Sequence, residues 1–292
     1  MGSSAGNSAG PAIGWLGRRL TRPGRLVGDG TARSMCVDGR SPSILALHGF
    51  GATPAEMELV LEVAGELGLC ASAPLLPGHG TRPEDLGRTT FGAWLDAAQT
   101  ELLRLGGRGP VIVTGQSLGT LLGLELQHAY PELVLGLVLL ANSLWLRFPH
   151  PAVTLGLLAQ LPLPSWLLSP IGAADLLDPE ARSSQLSYDR KPLAAAAEVW
   201  RRGRRDRRLL SEVHCPTLLV HGRHDHVCSP SNLRRVGRRL GTQDVRQVML
   251  SNSAHIVTRD RDRSILRAEL LTFFERLGFL ARSRADRQVG LL

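Results

Sequence analysis

From residue 43 onward the chain alternates short apolar runs with longer amphipathic stretches, a rhythm that fits a parallel sheet whose strands are joined by crossover helices. The expected class is therefore α/β. Expected strands cover residues 43–47, 69–74, 111–114, 133–141, 217–220 and 245–250. Several are unbroken runs of leucine or β-branched residues, the pattern of strands covered on both faces. Thr53-Pro54-Ala55-Glu56 reads as a helix start, with threonine as N-cap, proline at the first helical position and glutamate at the third. Met57, Val60, Leu61, Ala64 and Leu67 follow at helical spacing, and Gly68 ends that helix. Leu266, Leu270, Phe273 and Leu277 predict an amphipathic helix that closes the domain against the sheet.

One segment breaks the rhythm. Residues 142–213 show no strand pattern, but they hold seven prolines, an apolar stretch over 153–168, an alanine run over 194–197 and an arginine cluster over 201–208. A segment this long is too much for a plain loop, which predicts an inserted helical lobe. The expected organisation is a core of 34–141 and 214–280, the lobe at 142–213, a loose leader over 1–33 and a C-terminal tail over 281–292. A chain of 292 residues, 43% of them hydrophobic, can bury a sizeable core in one such domain.

Other classes are excluded by composition. Glycine is not periodic, and four cysteines, at 36, 70, 215 and 228, without a CxxC pair, are too few for a disulfide scaffold. No apolar stretch offers the roughly 20 nearly uninterrupted residues of a membrane span, and the N-terminal residues lack the apolar core of a secretion signal. A cytoplasmic protein without an integral membrane segment is expected. The formal charge of +8 comes almost wholly from arginine, Lys191 being the only lysine. No groove-reading motif accompanies it, so no nucleic-acid partner is expected.

Gly115-Gln116-Ser117-Leu118-Gly119 lies between the apolar run 110–114 and the helical pattern of Leu121, Leu122, Leu124 and Leu126. A nucleophilic serine on a tight strand-to-helix turn needs that context, with small residues two before and two after it to relieve crowding. A serine hydroxyl also needs a base, and the base an acid. Asp225, on the loop after strand 217–220, and His255, after strand 245–250, reach the same sheet edge as Ser117 and follow it in the order that this chemistry takes on an α/β sheet. His48-Gly49-Phe50-Gly51 follows the first clear strand. The Phe50 and Leu118 N–H groups are the natural donors to a developing oxyanion, an interaction worth about 3 to 4 kcal/mol. Competing readings are plain: a capping role for Asp225, and a metal cluster of His221, His224 and His226. The latter straddles a strand end and a turn, so the side chains should diverge, and no metal is expected.

HGFGATP, LPGHG at 76–80, GQSLG, GRHDHV at 222–227 and SAHIVTRDRDR at 253–263 together resemble the α/β-hydrolase superfamily, most closely its carboxylesterase and monoacylglycerol-lipase branch. The resemblance spans roughly 43–278. It implies a mostly parallel central sheet flanked by helices, Ser117 as nucleophile, Asp225 as acid, His255 as base, Phe50 and Leu118 as oxyanion donors, and residues 142–213 as a helical cap. Thr120 departs from the pattern, since relatives commonly carry a second glycine after the elbow.

The function expected from these residues is cofactor-independent cleavage of carboxylic esters through an acyl-enzyme on Ser117. The substrate is a small-molecule ester, short- to medium-chain or monoacylglycerol-like. Thioester hydrolysis or acyl transfer would use the same residues and stays open. A non-catalytic binding module and an arginine-rich surface docking on acidic lipid are the readings from other classes. The apolar run 153–168 is expected to roof the pocket, with Trp166 and Leu167 lining the acyl site.

Overall fold

The computed structural model describes residues 24–147, 164, 167–169 and 174–289. Its strands in chain order are β1 (Leu26–Val27), β2 (Met35–Val37), β3 (Arg40–Leu47), β4 (Leu69–Ala73), β5 (Val111–Gln116), β6 (Val134–Leu140), β7 (Ser187–Tyr188), β8 (Thr217–Gly222) and β9 (Val245–Leu250). All six expected strands form. Seven strands build the central sheet in the order β2-β4-β3-β5-β6-β8-β9, parallel throughout except for β2.

The side-chain alternation of β3 sets the layers. Ile44 and Ala46 face α1 (Glu58–Glu66) and α8 (Arg263–Val289), whereas Leu45 and Leu47 face α3 (Phe91–Gly106) and α4 (Leu118–Ala129). Between β4 and α3 runs the short helix Pro83–Arg88. With both faces buried, β5 and β6 carry no exposed residue, as their unbroken apolar sequence requires. Leu266, Leu270, Phe273 and Leu277 of α8 are all buried against the sheet, as their spacing predicts.

Four local expectations are corrected. Thr53 makes no side-chain cap, and Pro54–Met57 forms a 3-10 turn before α1. Glu56 does not complete a capping box; its carboxylate instead accepts the Gly49 N–H at 2.6 Å. Leu26–Val27, assigned to the loose leader, pairs with Ser187–Tyr188, and that pairing also places a short strand inside the lobe. The expected tail at 281–292 continues α8 as far as Val289. Residues 1–23 lie outside the described residues.

The lobe contributes Pro179–Ser184, β7, a helix α6 (Leu193–Asp206) and a 3-10 turn at Arg207–Glu212. Among the described residues no helix is long and apolar enough to cross a membrane. At the seam of lobe and core, Arg202 of α6 pairs with Glu125 of α4, and its Nε lies 3.3 Å from the wholly buried Asp206. Burial first, and then repulsion from Glu125, push the Asp206 carboxyl up to about 8. An acid whose pKa rises on folding takes up a proton as the chain folds, so stability falls as pH rises from about 4 towards 8. Asp206→Asn keeps the shape without the proton. Its melting temperature relative to wild type should therefore climb between pH 5 and about pH 8 in calorimetry and level off above that, and a difference independent of pH would contradict this account.

Candidate active site

Ser117 sits between β5 and α4 with φ 52° and ψ −108°, a backbone region that costs a non-glycine residue on the order of 1 kcal/mol or more. The surroundings impose it. A carbon added to Gly115 would fall 2.2 Å from the Gly119 carbonyl oxygen, and one added to Gly119 would fall 2.1 Å from the Leu47 carbonyl oxygen of β3. The turn closes only because both residues lack side chains. The Ser117 N–H donates to Leu140 O at 2.9 Å, and its carbonyl accepts from Thr120 Oγ1 at 2.6 Å and Ser143 Oγ at 2.9 Å. Thr120, the departure noted in the sequence, thus braces the turn with its hydroxyl.

Asp225 follows β8 and is wholly buried. Oδ1 accepts the Val227 and Cys228 N–H groups at 2.8 and 2.7 Å, while Oδ2 accepts from His255 Nδ1 at 2.8 Å. The capping role and the pairing role coexist, one on each oxygen. His221 Nε2, one turn back along the chain, lies 3.0 Å from the same Oδ2. Burial opposes the charged carboxylate, but the positive field and hydrogen bonds of His255 and His221 outweigh it and hold Asp225 well below the usual carboxylate range.

His255 reaches Asp225 because its loop is fixed on three sides. Gln116, the residue before Ser117, donates Nε2 to the His255 carbonyl at 2.7 Å, so the backbones of Ser117 and His255 are held side by side. The His255 N–H donates to Asp175 O of the lobe. Asp260 accepts the Ala254 N–H at 2.7 Å together with the Leu177 and Asp178 N–H groups, which ties this loop to the lobe. Among the described residues Ser117 Oγ and His255 form no hydrogen bond. Such contacts are often long in unliganded hydrolases and tighten around substrate.

The loop after β3 is held as firmly. His48 donates Nδ1–H to Gly49 O at 2.9 Å, with Nε2 accepting the Leu76 N–H at 3.2 Å, so the ring is neutral in this tautomer. Burial lowers its pKa to about 4. His79 of LPGHG packs on it, ring centroids 4.8 Å apart, and burial likewise keeps that ring neutral. Glu56 and Ser117 Cβ flank Gly49 so closely that a side chain there would meet both. Gly51, at φ +73°, accepts the Tyr188 N–H from the lobe at 2.9 Å and packs against the Lys191 stem. Among the described residues neither the Phe50 nor the Leu118 N–H has a protein acceptor.

The other candidates separate. His221 is buried at Asp225, while His224 and His226 are exposed, the latter on Asp175 at 2.8 Å. The only described group able to surround a metal is Asp225, Cys228 and His255, with ligand atoms within 4.8 Å of one another; two of the three are already bonded to each other. Leu167 is half-buried and ties its carbonyl to the Leu193 N–H at 2.9 Å. Trp166 and most of 153–168 lie outside the described residues. Sequence reasoning missed Glu56, Gln116, Ser143 and Asp260, of which Gln116 stood in GQSLG and Asp260 in SAHIVTRDRDR.

Residues 42–262 match the family described as serine aminopeptidase, S33. The chain belongs to this family. The hydrolase is 32% identical over 232 residues to a thermostable monoacylglycerol lipase of Bacillus sp. (strain H-257), covering 79% of this chain and 89% of that one. It is 22% identical to a carboxylesterase of Bacillus subtilis over 85% and 98% of the two chains. Among solved structures, one reported with the metagenome-derived lipolytic enzymes LipS and LipT superposes with a TM-score of 0.76 at 26% identity, over 86% of this chain and 99% of that one. A soluble variant of monoglyceride lipase from Saccharomyces cerevisiae gives 0.70 at 15% identity, over 87% and 95%. The chain is an ester-cleaving α/β-hydrolase.

Its imidazole should titrate unusually. Burial disfavours the charged ring of His255, but the Asp225 charge and hydrogen bond prevail and raise its pKa well above 6.5. Proton titration followed by NMR should place His255 above that value. In Asp225→Asn the largest influence that favours the charged ring is lost, leaving burial opposed only by Cys228, and the pKa should fall. A His255 midpoint unmoved by that substitution would contradict the pairing.

Proposed function

We propose that the hydrolase is a cofactor-independent serine carboxylesterase that works through an acyl-enzyme on Ser117, acting on short- to medium-chain esters of small alcohols, monoacylglycerols among them. The observation that carries this reading is the strained Ser117 backed directly by Gln116, whose side chain holds the residue paired with Asp225.

In this mechanism Ser117 Oγ attacks the ester carbonyl carbon while His255 Nε2 takes the hydroxyl proton. Asp225 keeps the other nitrogen protonated and stabilises the imidazolium. The carbonyl oxygen, now negative, is met by the Phe50 and Leu118 N–H groups at the head of α4, whose dipole adds to them. Collapse breaks the bond to the alcohol oxygen, which leaves with the proton from His255. Water then attacks the acyl-enzyme with its proton passing to His255, and the carboxylic acid is released as Ser117 recovers that proton. At low pH the protonated imidazole cannot act as base, so activity should rise with pH through the elevated His255 titration.

The relatives' names, a monoacylglycerol lipase and a carboxylesterase, support the substrate class. A roof formed by the apolar 153–168 run would reward acyl length at about 0.8 kcal/mol for each buried CH₂, with an optimum around four to ten carbons.

Ser117→Ala should lower turnover by about 10⁶ and abolish labelling by a fluorophosphonate probe; a variant keeping a tenth of wild-type turnover would exclude Ser117 as nucleophile. Chelation by EDTA should change nothing. Profiling against p-nitrophenyl esters and monoacylglycerols should show Trp166→Ala and Leu167→Ala shifting the preferred chain length while acetate ester turnover is nearly kept. Identical profiles in both variants would remove these residues from the acyl site.

A further inference from the structure

Most arginines that meet a charge on this surface meet a carboxylate. Arg104 pairs with Glu101 and Arg246 with Glu269 at 2.6 Å, and Arg276 pairs with Asp244 at 2.8 Å. Around Trp145 the pattern fails. The guanidinium carbons of Arg207, Arg239 and Arg235 stand 4.5, 5.3 and 5.7 Å from the Trp145 ring centroid, and Arg204 lies over Trp200 at 5.2 Å, near enough to repel Arg207. Among the described residues none of the four forms an ion pair. The residues outside the description, 1–23, 148–163, 165, 166, 170–173 and 290–292, contain no aspartate or glutamate, and of the side chains outside it at 284–289 only Asp286 is acidic.

Like charges gathered on a ring and left without counter-charge favour an anion at that spot. Arg207 is anchored through Nε and Nη2 to Leu144 O at 2.9 and 2.8 Å, whereas Arg204, Arg235 and Arg239 are exposed. Basic charge continues outward along both elements, to Arg201 and Arg205 on α6 and to Arg234 and Arg238 in and after the helix α7 (Asn232–Gly237), all of them exposed. That spread exceeds a single anion and suits a sheet of them.

The patch is fastened to the site. Asn232 Nδ2 donates to Asn142 O and Trp145 O, both at 2.9 Å, and Arg147 reaches Asp225 O at 3.1 Å. The arginines therefore sit on the backbone that supports the paired acid, and in sequence the apolar run 153–168 begins soon after. A half-buried tryptophan ringed by arginines suits a bilayer interface, and no groove-reading motif in the sequence accompanies it.

We propose that the arginines around Trp145 form a docking surface for an anionic lipid bilayer, which delivers lipid-borne esters to the site; the delivery rests on the ester-hydrolase reading above. Each arginine near an anionic surface adds about fivefold to partitioning, and salt weakens the attraction over a Debye length of ~10 Å at 0.1 M.

The test is co-sedimentation of the full chain with vesicles of phosphatidylcholine alone or with about 30% phosphatidylglycerol, a content chosen so that surface charge dominates. Wild type should bind only the anionic vesicles and leave them as salt is raised. Neutralising Arg204, Arg235 and Arg239 together with glutamine should lower partitioning on the order of 100-fold, and Arg239→Gln alone about fivefold. A control that neutralises Arg246, Arg263 and Arg267 removes the same formal charge from another face and should bind within about threefold of wild type. Turnover of soluble p-nitrophenyl butyrate, measured in parallel, reports folding and tests the hydrolase reading by itself. The proposal is overturned if wild type ignores anionic vesicles, if the control loses as much as the patch variant, or if the patch binds a single-stranded oligonucleotide more tightly than vesicles.

Discussion

Everything around Ser117 depends on how closely helix α4 approaches the strands beside it. At Gly119 the helix backbone lies so near β3 that a methyl group would overlap the Leu47 carbonyl, and at Gly115 the strand meets the helix's own first turn in the same way. Close packing there does two things at once. It drives Ser117 into a left-handed conformation that points the residue out of the sheet, and it brings the end of β3, with the Gly49–Gly51 loop, alongside the turn. A side chain at either glycine would push apart Ser117 and the end of β3.

The second dependence is electrostatic. Asp225 has no exposed surface, yet it stays ionised because three donors converge on its two oxygens and His221 Nε2 stands 3.0 Å from Oδ2. Two are backbone groups of its own turn and cost no side-chain entropy to order. The third is His255 from the loop after β9, so the carboxylate fixes the tautomer of His255 while His221 of β8 packs beside it. Removing the charge would leave several buried donors unpaired, a heavier loss than that of one ion pair.

What was legible in the sequence was whatever the chain encodes locally. Strand runs, the glycines at 115 and 119 and the positions of Asp225 and His255 follow from the spacing of neighbours, and the structure brings the latter two to one cleft edge. Thr53-Pro54-Ala55-Glu56 shows where local reading stops. The capping pattern was sound as a propensity, but Glu56 found a partner in the Gly49 loop and Thr53 turned towards Leu186 O, 133 residues away. A three-residue strand such as β2, only partly buried at an edge, carries too little periodicity to be seen. Gln116 sat in plain view within GQSLG, but its reach to the His255 carbonyl depends on three crossovers that no spacing records.

The lobe illustrates how a segment without strong local signals can still be held precisely where chemistry needs it. It is clasped by backbone groups: Tyr188 on Gly51, Asp175 on His255 and Ile256, and Leu177 and Asp178 on the Asp260 carboxylate. These bonds connect the lobe to the donor loop and to the histidine loop at the same time, so its seating and the geometry of both loops are one equilibrium. Arginine plays the remaining part. Arg202 pairs with the half-buried Glu125 and lies beside the buried Asp206 near the end of α6, whereas Arg204 and Arg207, two and five residues further on, meet no acid among the described residues. One helix end therefore carries arginines of two kinds, those that bind the lobe to the core and those that leave charge facing outward. Only the partners, never the run of arginines itself, tell the two apart.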